Sequence, residues 1–280
     1  MSASRLPDVP TDFQVISSIR CDENLQGLRT NSELGRNPEQ PCIYYMLRYH
    51  RDRMLAAATE FSWSKACRAL DGEKGLMFLE QILNEHVKSQ SSSIPPAEAM
   101  QLRILLSSAG EINLSSTVTP PLNPAVFFPP TLFQPPSLST FPTRWRALLS
   151  LVPVAPTPYT KHKTNLRTPY DLARSRLPAS APGSRAVSVV DEALLINEAG
   201  EIMEGSITTP YFFREGRWVT PAARCGGNLG TTRRWALETG MCVEGVVKGK
   251  EIRDKEEIWV SNGVRGFGWG RVELEPSRGT

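Results

Sequence analysis

Residues 159–174 read YTKHKTNLRTPYDLAR. Two lysines, Lys161 and Lys163, stand one residue apart, and the run after them has the marks of a helix start. Thr168 can cap, Pro169 suits the first turn, and Asp171 puts a carboxylate at the positive end of the helix. Both lysines therefore fall just ahead of a helix, at the end of a strand. A lysine gains chemical use when desolvation and neighbouring positive charge lower its pKa and free its amine to attack a carbonyl. A lone lysine is ordinarily a solvated surface charge, so the choice between these two rests on what the rest of the chain supplies.

Downstream, DEALLINEAGEIMEGSI and PYFFREGRWVTP each read as strand, glycine-containing turn, strand. Two hairpins in succession predict a mainly antiparallel sheet. GGNLGTTRRWALETG supplies a glycine-rich loop, a threonine able to cap a helix, and Gly240 as its stop, while EEIWVSNGVRGFGWG reads as a strand running into a glycine-rich loop.

Upstream, WRALLSLV reads as a short apolar strand, and before it prolines crowd PPLNPAVFFPPTLFQPPSLSTFP. Proline excludes regular helix and central strand there, so residues 120–158 are expected to be a linker or surface excursion. It would divide a smaller N-terminal α/β domain (1–119) from a larger C-terminal one (159–280). In the first part FQVISSIRCD alternates like a half-buried strand, and CIYYMLRYH reads as a strand feeding a helix over RDRMLAAATEFSW. A second amphipathic helix over GLMFLEQILNEHVKSQ is ended by SQSSSIPP, and two strands flank Ala109 and Gly110.

At 280 residues, 40% hydrophobic and 22% charged, the chain can bury ordinary cores in one or two domains of an α/β or α+β protein. A net charge of +3 with scattered cations does not match nucleic-acid binding. The five cysteines (Cys21, Cys42, Cys67, Cys225 and Cys242) show no C-x-x-C spacing, so reduced thiols and no metal site are expected. With no secretory signal and no span of bilayer length, the expectation is a soluble cytoplasmic protein.

Three further signals give the lysines a context. In EIMEGSI, Glu204 shares a strand face with Ile202, which puts a carboxylate toward the interior, where it needs a partner; a wet edge or an arginine pair is the plainer reading. NLGTTRR can cradle an anion with backbone amides, a hydroxyl and a helix dipole, though most such sequences are only caps. Arg53 in HRDRML lies near a helix start, where its fork of donors could grip a phosphate or simply pair on the surface.

Taken in order, R-x-H-x-x-R-[LM], H-K-T-x-x-R-x-x-Y, E-G-S-I, L-G-x-T-R-R and N-x-x-R-G resemble the fold-type IV pyridoxal-phosphate family across about residues 13–272, with the proline-rich middle unmatched. That family holds branched-chain and D-amino acid aminotransferases and 4-amino-4-deoxychorismate lyases. HKTNLRTPYDLAR, VSNGVRG and LRILLSSAGEI resemble the lyases, including those fused to or partnered with aminodeoxychorismate synthase. The resemblance implies a two-domain α/β (α+β) fold with pyridoxal 5′-phosphate in the interdomain cleft, a homodimer, and a small-molecule substrate. The activity implied is conversion of aminodeoxychorismate to 4-aminobenzoate and pyruvate, toward folate. An aminotransferase, or a non-catalytic relative serving as a binding module, stays open.

Roles follow from the same resemblance. Lys163 would bond the cofactor aldehyde, and Glu204 would keep the ring nitrogen protonated. Arg53, Gly230, Thr231, Thr232, Asn262 and Gly263 would hold the cofactor, its phosphate above all. Arg167 and Tyr170 would line the pocket, and Arg265 would take a substrate carboxylate. His162 is either a pocket residue or a packed structural histidine. The chain departs from the family at Thr209 and Pro210, where Asn and an aliphatic residue are usual, and at Gly263, which removes a hydroxyl able to reach the phosphate.

Overall fold

The computed structural model describes residues 10, 12–90, 98–133, 143–177 and 188–274. The first sheet has three antiparallel strands in the order β1 (Val15–Cys21), β2 (Ala99–Leu106), β3 (Ile112–Thr119). Val15 pairs with Leu106 and Cys21 with Met100. After a one-turn helix α1 (Arg29–Glu33) come α2 (Leu47–Glu60), α3 (Ser64–Leu70) and α4 (Gly72–Gln90). Met54 of α2 and Leu79 and Leu83 of α4 meet Ile19, Leu102 and Ile104 of the strands in one apolar core. Each helix thus covers its apolar stripe against the sheet.

The larger sheet has eight strands, in the order β6-β5-β4-β11-β10-β7-β8-β9. These are β4 (Thr143–Leu149), β5 (Ser188–Ile196), β6 (Ile202–Gly205), β7 (Thr209–Arg214), β8 (Arg217–Pro221), β9 (Val243–Gly245), β10 (Glu257–Asn262) and β11 (Gly266–Glu273). Helices α5 (Pro158–Lys161), α6 (Thr168–Ser175) and α7 (Thr231–Glu238) lie between its strands in sequence. Both expected hairpins form, β5/β6 and β7/β8, but β4 runs parallel to β5 and β11, and β9 parallel to β8, so the sheet is mixed rather than mainly antiparallel.

The two sheets meet along β1. Arg20, wholly buried, bonds Asp22 and donates to the carbonyls of Pro120 (2.8 Å) and Val264 (3.5 Å), and its amide donates to Gly263 O. The Ile16 amide donates to Lys163 O at 2.7 Å. One strand of the small sheet thereby anchors two loops of the large one.

Several sequence expectations are corrected. β1 is covered on both faces, not half-buried, because the helices lie on one side and the site loops on the other. CIYYMLRYH is not a strand: α2 begins at Leu47, after Met46 takes a left-handed φ of 55° with its amide held by Asn31 Oδ1. The 120–158 stretch is more than a linker. It contributes β4 to the middle of the large sheet and buries Phe127 and Leu132, whereas its residues 134–142 lie outside those described. The final glycine-rich segment GFGWG is itself strand β11. The SSSIPP end of the run expected to stop α4 falls in residues 91–97, outside those described.

Candidate active site

Lys163 stands in the turn between α5 and α6, not at the end of a strand. Thr157 and Thr160 form a reciprocal capping box that starts α5. α6 opens with Thr168 already in its first turn: Arg167 is the capping position and no side chain caps it, so Thr168 is not the N-cap. What fixes the turn is β1, through the bond from the Ile16 amide to Lys163 O and the bridge between Val15 and Thr164. The side chain enters a cleft where burial, and then the charges of Arg53 and Arg167, lower its pKa from 10.5 to about 7, Glu204 opposing. Lys161 turns outward to Glu60 at 2.5 Å.

Glu204 lies on β6 in the same cleft. Tyr170 OH donates to its Oε1 at 2.6 Å and the Asn228 amide donates to the carboxylate as well, yet burial prevails and raises its pKa to about 7. Gly227 makes this approach of backbone to side chain feasible, for a Cβ there would sit 2.2 Å from Met203 O. Arg167 lies over the Tyr170 ring, 4.8 Å from its centroid, and donates to Ser206 O.

Arg53 comes from the seventh residue of α2, farther along than expected, and donates to Ser17 Oγ at 2.7 Å and to Ile16 O at 3.2 Å. Burial lowers its pKa to about 10, with Glu204 acting the other way. Gly230, Thr231 and Thr232 form the N-terminus of α7, with Gly230 rather than a threonine at the cap. Thr232 Oγ1 accepts from Ser261 Oγ at 2.7 Å. Asn262 accepts the amides of Val264 and Arg265 on Oδ1 and donates to Ile207 O, shaping the loop that carries Gly263.

The cleft therefore gathers Lys163, Glu204, Arg53, Arg167, Tyr170, Gly230, Thr231, Thr232, Asn262 and Gly263. It does not gather Arg265. That side chain is exposed, stacks toward Trp145 at 5.6 Å, and borders a separate apolar cavity between Trp145, Val190 and Phe267. The turn set by Asn262 points neighbouring residues to opposite sides, which sequence spacing does not reveal. His162 is the packed histidine of the two options: it is buried, its Nε2 lies 2.8 Å from Glu60 Oε2, and Phe61 packs on its ring.

Two residues were missed. Glu192 on β5 is fully buried and accepts from the hydroxyls of Ser206 and Thr208 and the amides of Ile207 and Ala193, so it organises the Gly205–Thr208 turn that borders the cleft. Its signal was a carboxylate inside an apolar strand, DEALLI. His50 also lines the cleft. It opens HRDRML, three residues before Arg53.

The family model for amino-transferase class IV matches residues 39–269. The chain belongs to that family. It is 26% identical over 225 residues to the aminodeoxychorismate lyase of Saccharomyces cerevisiae, covering 71% of this chain and 60% of that protein. The chain thus spans about 60% of the length of this curated relative. Among solved structures, the branched-chain amino acid aminotransferase of Escherichia coli is similar at a TM-score of 0.57 and 16% identity, over 94% of this chain and 76% of that one. The fold IV-transaminase CpuTA1 of Curtobacterium pusillum is similar at a TM-score of 0.59 and 15% identity, over 98% and 86%. Another branched-chain amino acid aminotransferase, complexed with N-(5′-phosphopyridoxyl)-L-glutamate, reaches 0.57 at 16% identity, over 94% and 76%. These likenesses establish the mixed α/β fold of fold-type IV enzymes, and the class IV family works with pyridoxal phosphate.

The residues present suit that cofactor. The cleft offers an amine poised to lose its proton near neutrality, a buried carboxylate with donors on it, and a guanidinium with a helix N-terminus for a phosphate. Among the described residues no group of His, Cys, Asp and Glu could hold a metal, and no helix is long and apolar enough to cross a membrane.

Proposed function

We propose that this chain is an aminodeoxychorismate lyase, which forms 4-aminobenzoate and pyruvate from 4-amino-4-deoxychorismate in a step toward folate. The observation that carries the reading is Lys163, an amine held near a pKa of 7 in one cleft with Glu204, Arg53 and the N-terminus of α7. The identity to the yeast lyase supports the lyase reaction within the family.

Pyridoxal phosphate, when bound, supplies an aldehyde for amines and a ring that accepts electron density from the neighbouring carbon. Lys163 is the amine that would hold the cofactor's aldehyde and yield it to a substrate amine. The freed amine then removes the proton from the substrate carbon next to nitrogen, which its lowered pKa permits at neutral pH. Lys163 next returns a proton to the departing enolpyruvyl group, and the remaining ring becomes aromatic. Glu204, fixed by Tyr170 and the Asn228 amide, would keep a proton on the cofactor's ring nitrogen. Arg53, with the amides and hydroxyls of Gly230, Thr231 and Thr232, holds the phosphate. Arg167 fixes the Tyr170 ring and the Ser206 carbonyl at the rim. A homodimer, and delivery of the substrate by aminodeoxychorismate synthase, accompany this reading.

The test supplies the enzyme with aminodeoxychorismate and follows both products. Equal yields of 4-aminobenzoate and pyruvate support the lyase. Keto acids formed from common amino acids, with no pyruvate from aminodeoxychorismate, would assign the chain to the aminotransferases instead.

A further inference from the structure

His50 has a donor with nowhere to go. Its ring is 1% exposed and lines the cleft, and its Nε2 is buried without a hydrogen-bond partner among the described residues. It stands three residues before Arg53 on α2, so the two side chains share a helix face. Both meet at Ser17. Arg53 donates to Ser17 Oγ at 2.7 Å, and His50 Nδ1 lies 2.7 Å from the same oxygen. Ser17 Oγ already accepts from Arg53, and where its hydroxyl proton is donated to Nδ1 the imidazole proton lies on Nε2. Burial and the charges of Arg53 and Lys163 hold the ring neutral. Leaving that buried nitrogen unpaired is unfavourable, a cost offset once an acceptor enters the cleft.

Gly263 packs against the same ring edge. A Cβ there would sit 2.8 Å from His50 Cε1, 2.9 Å from Nε2 and 3.0 Å from Ser18 O. The imidazole edge, rather than a side chain at position 263, fills this corner of the cleft beside Arg53.

We propose that His50 Nε2–H is a hydrogen-bond donor to the phosphate of the bound cofactor, paired with Arg53 through Ser17. The inference rests on the reading that pyridoxal phosphate occupies this cleft. It adds a cofactor-binding residue, and it makes Gly263 the gap that admits the ring.

The test titrates the apoprotein with pyridoxal phosphate and with pyridoxal, which lacks the phosphate. His50→Leu weakens pyridoxal phosphate about tenfold, the effect of losing one hydrogen bond to a charged acceptor, and leaves pyridoxal within about twofold. His50→Gln, whose amide can donate from a similar place, recovers part of the loss. Equal weakening of both ligands, or no change in either, would overturn the proposal, because a ring that only shapes the cleft does not distinguish them. Should the variants fail to fold, the wild-type protein labelled with 15N-histidine decides. Pyridoxal phosphate must shift the His50 Nε2–H resonance downfield and pyridoxal must not; a shift shared by both, or absent from both, refutes the assignment. Wild-type protein that binds neither ligand would remove the cofactor reading itself, which is a different failure.

Discussion

Lys163 and Lys161 differ by two positions and by everything around them. Lys161 reaches Glu60 on the outside, while Lys163 loses its water to the cleft and has Arg53 and Arg167 for company. Lys163→Ala is therefore expected to lower lyase turnover by at least about a thousandfold, the scale of losing a nucleophile that is also the proton carrier. Lys161→Ala should stay within about threefold; steady-state kinetics on both variants checks the contrast. Glu204→Gln keeps a partner for Tyr170 but loses the carboxylate, and kcat should fall by about two orders of magnitude with the fold intact by circular dichroism. The sequence led to Lys163 through its spacing to Arg167 and Tyr170. It did not lead to His50, because a histidine's significance here lies in a nitrogen without a partner, and partners come from Ser17 on another element. Arg265 lies outside the lining of the Lys163 cleft, since a loop turn decides on which side a guanidinium emerges.

Among the elements, the Gly205–Thr208 turn and the N-terminus of α7 both border the cleft, and Glu192, outside the cofactor motifs, holds the turn. Glu192 accepts four hydrogen bonds from the turn and its own strand; removing it takes the acceptor from two hydroxyls and two amides. Glu192→Ala should destabilise the protein by about 3 kcal/mol, read as a shift in the urea midpoint at unchanged m-value. Ser206→Ala, which removes one donor, should cost about 1 kcal/mol. Helices with a clean apolar period, such as α4, and hairpins with glycine turns were legible because local pattern decides them. The start of α2 was not, since Asn31, fifteen residues away, holds the Met46 amide and breaks what looked like a strand. The capping expectations at Thr168 and in NLGTTRR put the helices in the right place but assigned the cap one residue late, a shift that backbone geometry settles and composition does not.

At the scale of the whole molecule, the site exists because β1 of the small sheet bonds to loops of the large one, through Ile16 to Lys163 and through Arg20 to Gly263 and Val264. Proline content marked 120–158 as a linker, while the apolar run WRALLSLV within it read as a strand; that run is β4, which pairs on both sides with β5 and β11. The buried ionisable groups also tie global stability of the apoprotein to pH. Lys163 has a folded pKa of about 7, below its unfolded value of 10.5, so its contribution to stability is present above pH 10.5 and lost as pH falls through 7. Glu204, raised to about 7 from 4.5, contributes stability below pH 4.5 that is lost as pH rises through 7. Lys163→Met should therefore stabilise the apoprotein by on the order of 2 kcal/mol at pH 7, a gap that closes toward pH 10.5. Urea midpoints across that range check it, and a gap constant with pH would contradict it.

The most direct test of the account locates the amine that bonds the cofactor. Wild-type protein is incubated with pyridoxal phosphate at about pH 7.5, near the lowered pKa of a buried amine, then reduced with borohydride, digested and mapped by mass spectrometry. The phosphopyridoxyl group is predicted on Lys163, with Lys161 unlabelled and labelling lost in Lys163→Ala. Labelling at Lys161, or spread over surface lysines and unaffected by that substitution, would contradict the assignment of this cleft as the active site.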